Sequence, residues 1–108
     1  MDLVYIAHPY TGNPIENIKD AKRIKRKLQY MYADDCFVSP LDEFGEYTSL
    51  DYTDVLALCF KLLSKCDRIV FCKDWQHSQG CRAEMAYAKF KGIQISYFID
   101  GTIAGNEG

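Results

Sequence analysis

The chain alternates between short apolar runs and longer stretches where apolar residues recur at three- and four-residue steps. The first run, "LVYIA" (3–7), has the length and composition of a strand. "HPYTGNP" breaks it, and Asn13, Pro14 and Glu16 predict a helix start: a capping side chain, a proline at the first helical position, and an acid three residues after the cap. Ile15, Ile18, Ala21, Ile24, Leu28 and Met31 then form one apolar stripe. "CFVSP" (36–40) reads as a second strand ended by Pro40. The irregular stretch "LDEFGEYTSLDY", rich in acids and aromatics, leads to a second helix over roughly 51–65. There Val55, Cys59, Leu62, Leu63 and Cys66 share one side, and Asp54, Lys61 and Lys65 the other. "RIVFC" (68–72) is continuously apolar, as a strand buried on both faces would be. A last helix over about 80–91 stops at Gly92, and "IQISYFI" (93–99) is the final strand. The glycine-rich end, "DGTIAGNEG", is expected to fray.

Strands and helices in this alternation predict an α/β fold. The expectation is a three-layer αβα sandwich around a mostly parallel sheet of four to five strands, flavodoxin- or Rossmann-like. One domain would span 1–99, with a flexible tail over 100–108. Ligands of such sheets sit beyond the carboxyl ends of the strands. Loops 8–13 and 73–80, following the first and third strands, would therefore share that edge.

A length of 108 residues with 48% apolar content suits a single core. A net charge of −2 predicts no strong pull toward a nucleic acid polymer or an anionic membrane. Six of the 13 basic residues crowd into "KDAKRIKRK" (19–27), which reads as a solvated helix face rather than a nucleic-acid patch. No apolar run is long enough to span a bilayer, and "MDLVYIAHPY" lacks the pattern of a secretion signal. The five cysteines are odd in number and contain no C-x-x-C pair. Cys36, Cys66 and Cys72 border or lie within apolar runs, as small buried thiols do. A reducing cytoplasm is expected, without a zinc site or any other metal or organic cofactor.

The chemistry concentrates at the shared edge. Loop "HPYTGN" offers a glycine, hydroxyls and a helix start whose free N–H groups favour anions. Loop "DWQHSQG" repeats the arrangement with Ser78 and Gly80 before the last helix. In that helix Glu84 is flanked on its own face by small residues, Cys81 and Ala88, which leaves room for a ligand. Such a carboxylate can attack the anomeric carbon of a sugar and form a covalent intermediate. An acid near a helix start is equally at home on the surface, favoured by the helix dipole.

The order of these elements resembles the nucleoside 2-deoxyribosyltransferase superfamily, which includes the deoxynucleoside monophosphate N-glycosidases, and in particular its small, poorly characterised branch. The resemblance covers about residues 3–99. It rests on "VYIAHPYTG", on "CDRIVF", and on "SQGCRAEMAYAKFKG" with its S-x-G-x-x-x-E spacing. It implies that Glu84 is the nucleophile that captures the sugar C1′ and that the Tyr5 hydroxyl orients it; a strand tyrosine is otherwise a core aromatic. Ser78 matches a serine that holds a 5′ phosphate, or it is a helix cap, or both. Loop 8–12, with Gly12, would border sugar and base. His8 stands where relatives often carry glycine and would either hydrogen-bond substrate or pack against the loop. Tyr10 and Trp75 would stack on a base or sit in a subunit interface.

One departure bears on mechanism. The superfamily carries an aspartate eight residues before the one matched by Asp67, and Cys59 stands there, centred on its helix's apolar side. Asp54 points away with the lysines and reads as a solvated acid. Asp42 or Glu43 would then supply the missing carboxylate from the second loop. The resemblance implies cleavage or transfer at the N-glycosidic bond of a (deoxy)nucleoside or its 5′-monophosphate, with no cofactor, in a homodimer or higher homo-oligomer. The alternatives are a sensor or sequestering protein that only binds a nucleotide-like small molecule in the same pocket, and an oligomer subunit with a vestigial cleft. Cys59 favours binding, the Tyr5–Glu84 pair favours chemistry, and the enzyme is the reading preferred.

Overall fold

The computed structural model describes residues 1–41 and 51–107. In chain order these form β1 (Leu3–Ala7), α1 (Pro14–Met31), β2 (Cys36–Val38), α2 (Tyr52–Leu63), β3 (Arg68–Phe71), a 3-10 turn (Trp75–His77), α3 (Gln79–Lys91), β4 (Gln94–Ile99) and β5 (Thr102–Glu107). The strands make one five-stranded sheet in the order β2-β1-β3-β4-β5. Neighbours from β2 to β4 run parallel, with Tyr5 beside Val38 and Ile69, and Ile69 beside Ile95. β5 pairs antiparallel with β4, so the sheet is mixed rather than mostly parallel.

Strand side chains alternate between the two faces, and each face has its own helical cover. Val4, Ile6, Phe37, Val70 and Cys72 pack with Ile24 and Leu28 of α1. Tyr5, Ala7, Ile69, Phe71 and Ile95 pack with Cys59 and Leu63 of α2 and with Cys81, Met85 and Ala88 of α3. Phe60 and Tyr87 stack at 5.1 Å and bring α2 to α3. The apolar side read for the second helix is borne out: Cys59, Leu63 and Cys66 are buried, while Asp54 is exposed. The stripe on α1 is buried only at Ala21, Ile24 and Leu28; Ile15 in the first turn is 68% and Met31 at the last position 41% exposed.

Three local expectations are corrected. Asn13 occupies the cap position of α1, but its side chain makes no capping bond; instead the Asn17 amide donates to the Tyr10 carbonyl at 2.9 Å and ties the loop to the first turn. β2 ends at Val38, and Pro40 and Leu41 are already helical, consistent with the tolerance of a first helical turn for proline. The end expected to fray forms β5. Asp100 (φ 52°) and Gly101 (φ 82°) make a two-residue turn with both central residues left-handed, the geometry that aspartate–glycine pairs favour between antiparallel strands. Ile103 packs against the cluster on the α1 face, and its amide donates to the Tyr32 hydroxyl at 3.4 Å.

Among the described residues no helix is long and apolar enough to cross a membrane. Deleting residues 100–108 removes β5 and the Ile103 contact, a loss of roughly 1–2 kcal/mol of apolar burial. For a domain of this size that lowers Tm by roughly 5–15 °C in calorimetry; a tail without structure would leave Tm unchanged.

Candidate functional site

β1 places Tyr5 on the α2/α3 face, fully covered, two residues from the carboxyl end of the strand. α3 starts at Ser78, whose hydroxyl accepts from the Cys81 amide at 3.2 Å. One turn further on, Glu84 points inward and is 6% exposed. The Tyr5 hydroxyl donates to Glu84 Oε2. Removal from water disfavours the carboxylate and pushes Glu84 up to about 7, while the Tyr5 hydrogen bond limits the rise. Tyr5 is itself pushed well above the usual phenol range, first by burial and then by the Glu84 charge.

Two thiols complete the cluster. Cys59 of α2 is raised to about 11 by burial and the Glu84 charge, against a hydrogen bond with Tyr5. Cys81 is raised to about 12 by burial and then by Glu84. Both stay neutral near pH 7, so they line the carboxyl with polarizable but uncharged groups. A buried carboxylate needs partners, and the Tyr5 hydroxyl supplies one to Glu84.

Beside this cluster, at the shared edge, lies a cleft of about 380 Å³. His8, Thr11 and Asn13 line it from the first loop, Asn17 and Asp20 from α1, and Lys73, Asp74, His77 and Ser78 from the second loop. His8 Nδ1 is 2.7 Å from the Pro9 carbonyl oxygen, and Nε2 is 2.7 Å from Asp20 Oδ2. Arg23 donates to the other Asp20 oxygen at 2.7 and 3.1 Å. Burial acts to raise Asp20, but the hydrogen bonds from His8 and Arg23 outweigh it and hold the carboxyl below its ordinary range.

Of the residues singled out in the sequence, Tyr5 and Glu84 meet, and His8 and Ser78 line the cleft together. Ser78 both caps α3 and faces the cleft. Gly12 sits between the lining residues Thr11 and Asn13 with φ 97°, a backbone that side-chain-bearing residues adopt only with strain. Gly80 lies in the first turn of α3. Tyr10 is half-buried and contributes its carbonyl to the Asn17 bond. Trp75 is turned into the fold, its ring 5.1 Å from Phe71 and 6.2 Å from Tyr97, so it is not presented to the cleft. Asp42 and Glu43 lie outside the described residues.

The expected convergence on one hollow is met only in part. Glu84 lies six residues beyond Ser78, roughly 9 Å along the helix, and neither it nor Tyr5 is among the described lining of the cleft. Asp67 serves the fold, because its side chain accepts from the Leu3 amide at 2.8 Å and clamps the start of β1. A second hollow of about 330 Å³ lies around Asp67, Tyr87 and Lys91, away from this chemistry. Sequence reading missed Asp20, Lys73 and His77. The signal for Asp20 was available, since Asn13, Asn17 and Asp20 fall at steps of four and three and so share the helix face that continues the first loop.

Residues 2–97 match the family described as a domain of unknown function (DUF4406), and the chain belongs to that family. No curated protein and no solved structure matches the chain.

Glu84 carries two expectations. Its proton is held more tightly in the folded chain than in the unfolded one, so the associated stability is complete below about pH 4.5 and is lost as pH rises through about 7. The loss amounts to about 3 kcal/mol. Glu84→Gln should therefore be more stable than wild type in urea unfolding at pH 8, with the difference shrinking toward pH 4. In Tyr5→Phe the bond that favours the charged form is gone. Its Glu84 carboxyl, followed by carbon-13 NMR, should titrate above the wild-type midpoint.

Proposed function

We propose that this DUF4406 protein cleaves or exchanges the N-glycosidic bond of a (deoxy)nucleoside or its 5′-monophosphate through a covalent glycosyl intermediate on Glu84. The observation that carries the reading is the carboxyl of Glu84, buried, hydrogen-bonded to a buried tyrosine and poised to ionise near neutral pH. The resemblance to the nucleoside 2-deoxyribosyltransferase superfamily supplies the reaction. For the fold, helical cover on both faces and the strand order 2-1-3-4-5 support a three-layer, flavodoxin-like sandwich.

In this reading the ionised carboxylate attacks C1′ as the base departs. Tyr5 orients the attacking oxygen and, by keeping the carboxyl from rising further, maintains an ionised fraction at pH 7. The polar cleft beside it takes the remainder of the ligand. Ser78 stands at the start of α3, where a 5′ phosphate would meet free amide groups. Free thiols at all five cysteines agree with a reducing compartment such as the cytoplasm. Phe90 and Tyr30, large and exposed, offer apolar surface for a homo-oligomer.

A second reading, binding without chemistry, is favoured by Cys59. Its thiol takes the inward position beside Tyr5 and Glu84 and is too weak an acid to serve in place of a carboxyl. Incubating wild type and Glu84→Ala with a panel of deoxynucleosides and their monophosphates, with chromatography of the released base, separates the two. Wild type should liberate base from at least one substrate, and Glu84→Ala should lose roughly three orders of magnitude or more of that rate. Intact substrates together with a ligand-dependent rise in Tm would establish binding alone.

A further inference from the structure

The proposed reaction needs a proton for the departing base, and the buried cluster has no ready source. Tyr5 already donates to Glu84, and the Cys59 and Cys81 thiols hold their protons up to about 11 and 12. The donor has to come from the cleft. Among its described ionisable groups, Lys73, Asp74 and His77 are exposed, and Asp20 is committed to His8 and Arg23. His8 differs from these. Its side chain is 6% exposed although it faces the cleft, and both ring nitrogens are engaged.

We infer that His8, held by Asp20 and Arg23, is the general acid that protonates the leaving base; the inference rests on the glycosidic reading. Donor and acceptor roles around the ring point to it. A carbonyl oxygen and a carboxylate oxygen can only accept, so the two 2.7 Å contacts of the ring each call for an N–H. The Nε2 contact runs to Asp20, which Arg23 fixes in turn at 2.7 Å. This chain orients the ring and stabilises its positive charge, as second-tier carboxylates do for imidazoles elsewhere. The Nδ1 contact is made to the neighbouring Pro9 carbonyl, and a ligand nitrogen entering the cleft can replace it.

The step balances. An oxygen of Glu84 bonds to C1′ while the C1′–N bond breaks, its electron pair leaving with the base, which takes the Nδ1 proton. His8 is then neutral, with Nε2–H still on Asp20. A water next attacks C1′ and returns a proton to Nδ1. The C1′–O bond breaks with its pair to Glu84, which restores the carboxylate and the doubly protonated ring. His8 therefore takes the part that the Cys59 position, on this reading, lacks.

The test uses two substrates that differ in their need for a proton: deoxyguanosine 5′-monophosphate and its 7-methyl derivative, whose base departs neutral without one. His8→Gln should slow release of guanine by roughly 10²-fold or more, yet leave release of 7-methylguanine within a few-fold of wild type. Asp20→Asn, which keeps the shape but not the charge, should give the same selective pattern more weakly. Equal losses on both substrates, or none on either, would overturn the assignment while wild-type turnover dependent on Glu84 leaves the glycosidic reading standing. If wild type releases base neither from these two compounds nor from any other deoxynucleoside or monophosphate of the panel, that reading and this inference fall together. Thermal melting of both variants within a few degrees of wild type separates a lost proton donor from a lost fold.

Discussion

The hydrogen bond between Tyr5 and Glu84 is the constraint on which the remaining arrangement depends. It joins the centre of the first strand to the second turn of the last helix, across 79 residues of sequence. A carboxyl taken out of water at this depth is costly in its charged form. The phenol offsets part of that cost, and the result is a group balanced between its two protonation states near neutral pH. Neither partner would behave this way alone. A buried tyrosine without an acceptor leaves a hydroxyl unsatisfied, and a buried glutamate without a donor stays protonated.

The fold makes the meeting possible by simple means. Alternation along β1 sends Tyr5 and Ala7 to one face and Val4 and Ile6 to the other. Parallel pairing with β3 then brings the loops after both strands to one edge. Ser78, at the corner where the second loop becomes α3, belongs to both environments, since it caps the helix carrying Glu84 and lines the cleft containing His8. The buried carboxyl and the cleft thus meet at one helix terminus, in surroundings that differ. The carboxyl sits in an apolar, thiol-lined setting, and the cleft is polar and charged.

Much of this was legible in the chain itself. Period-two and three-to-four-residue patterns located four strands and three helices to within a residue or two at most ends, because each element buries one side against the sheet. The wheel of the second helix put Cys59 inward and Asp54 outward, and the structure agrees. Misses arose where local chemistry outweighed the pattern. The aspartate–glycine pair at 100–101 turned an apparently fraying end into a fifth strand. Asn13 occupies a capping position but leaves the loop-tying bond to Asn17. Trp75 found aromatic partners in Phe71 and Tyr97 and so left the cleft.

By itself the sequence determined which residues alternate, which helix faces are apolar, and that Glu84 stands among small neighbours. Those features are local, set by the spacing of side chains along one element. Only the tertiary structure decided that Glu84 is buried rather than solvated, that its partner is Tyr5, and that His8 is gripped by Asp20. Each of these depends on where two elements distant in sequence come to lie. The free energy of a charge is set by its distance from water and from its partners, a quantity that spacing along one chain does not contain.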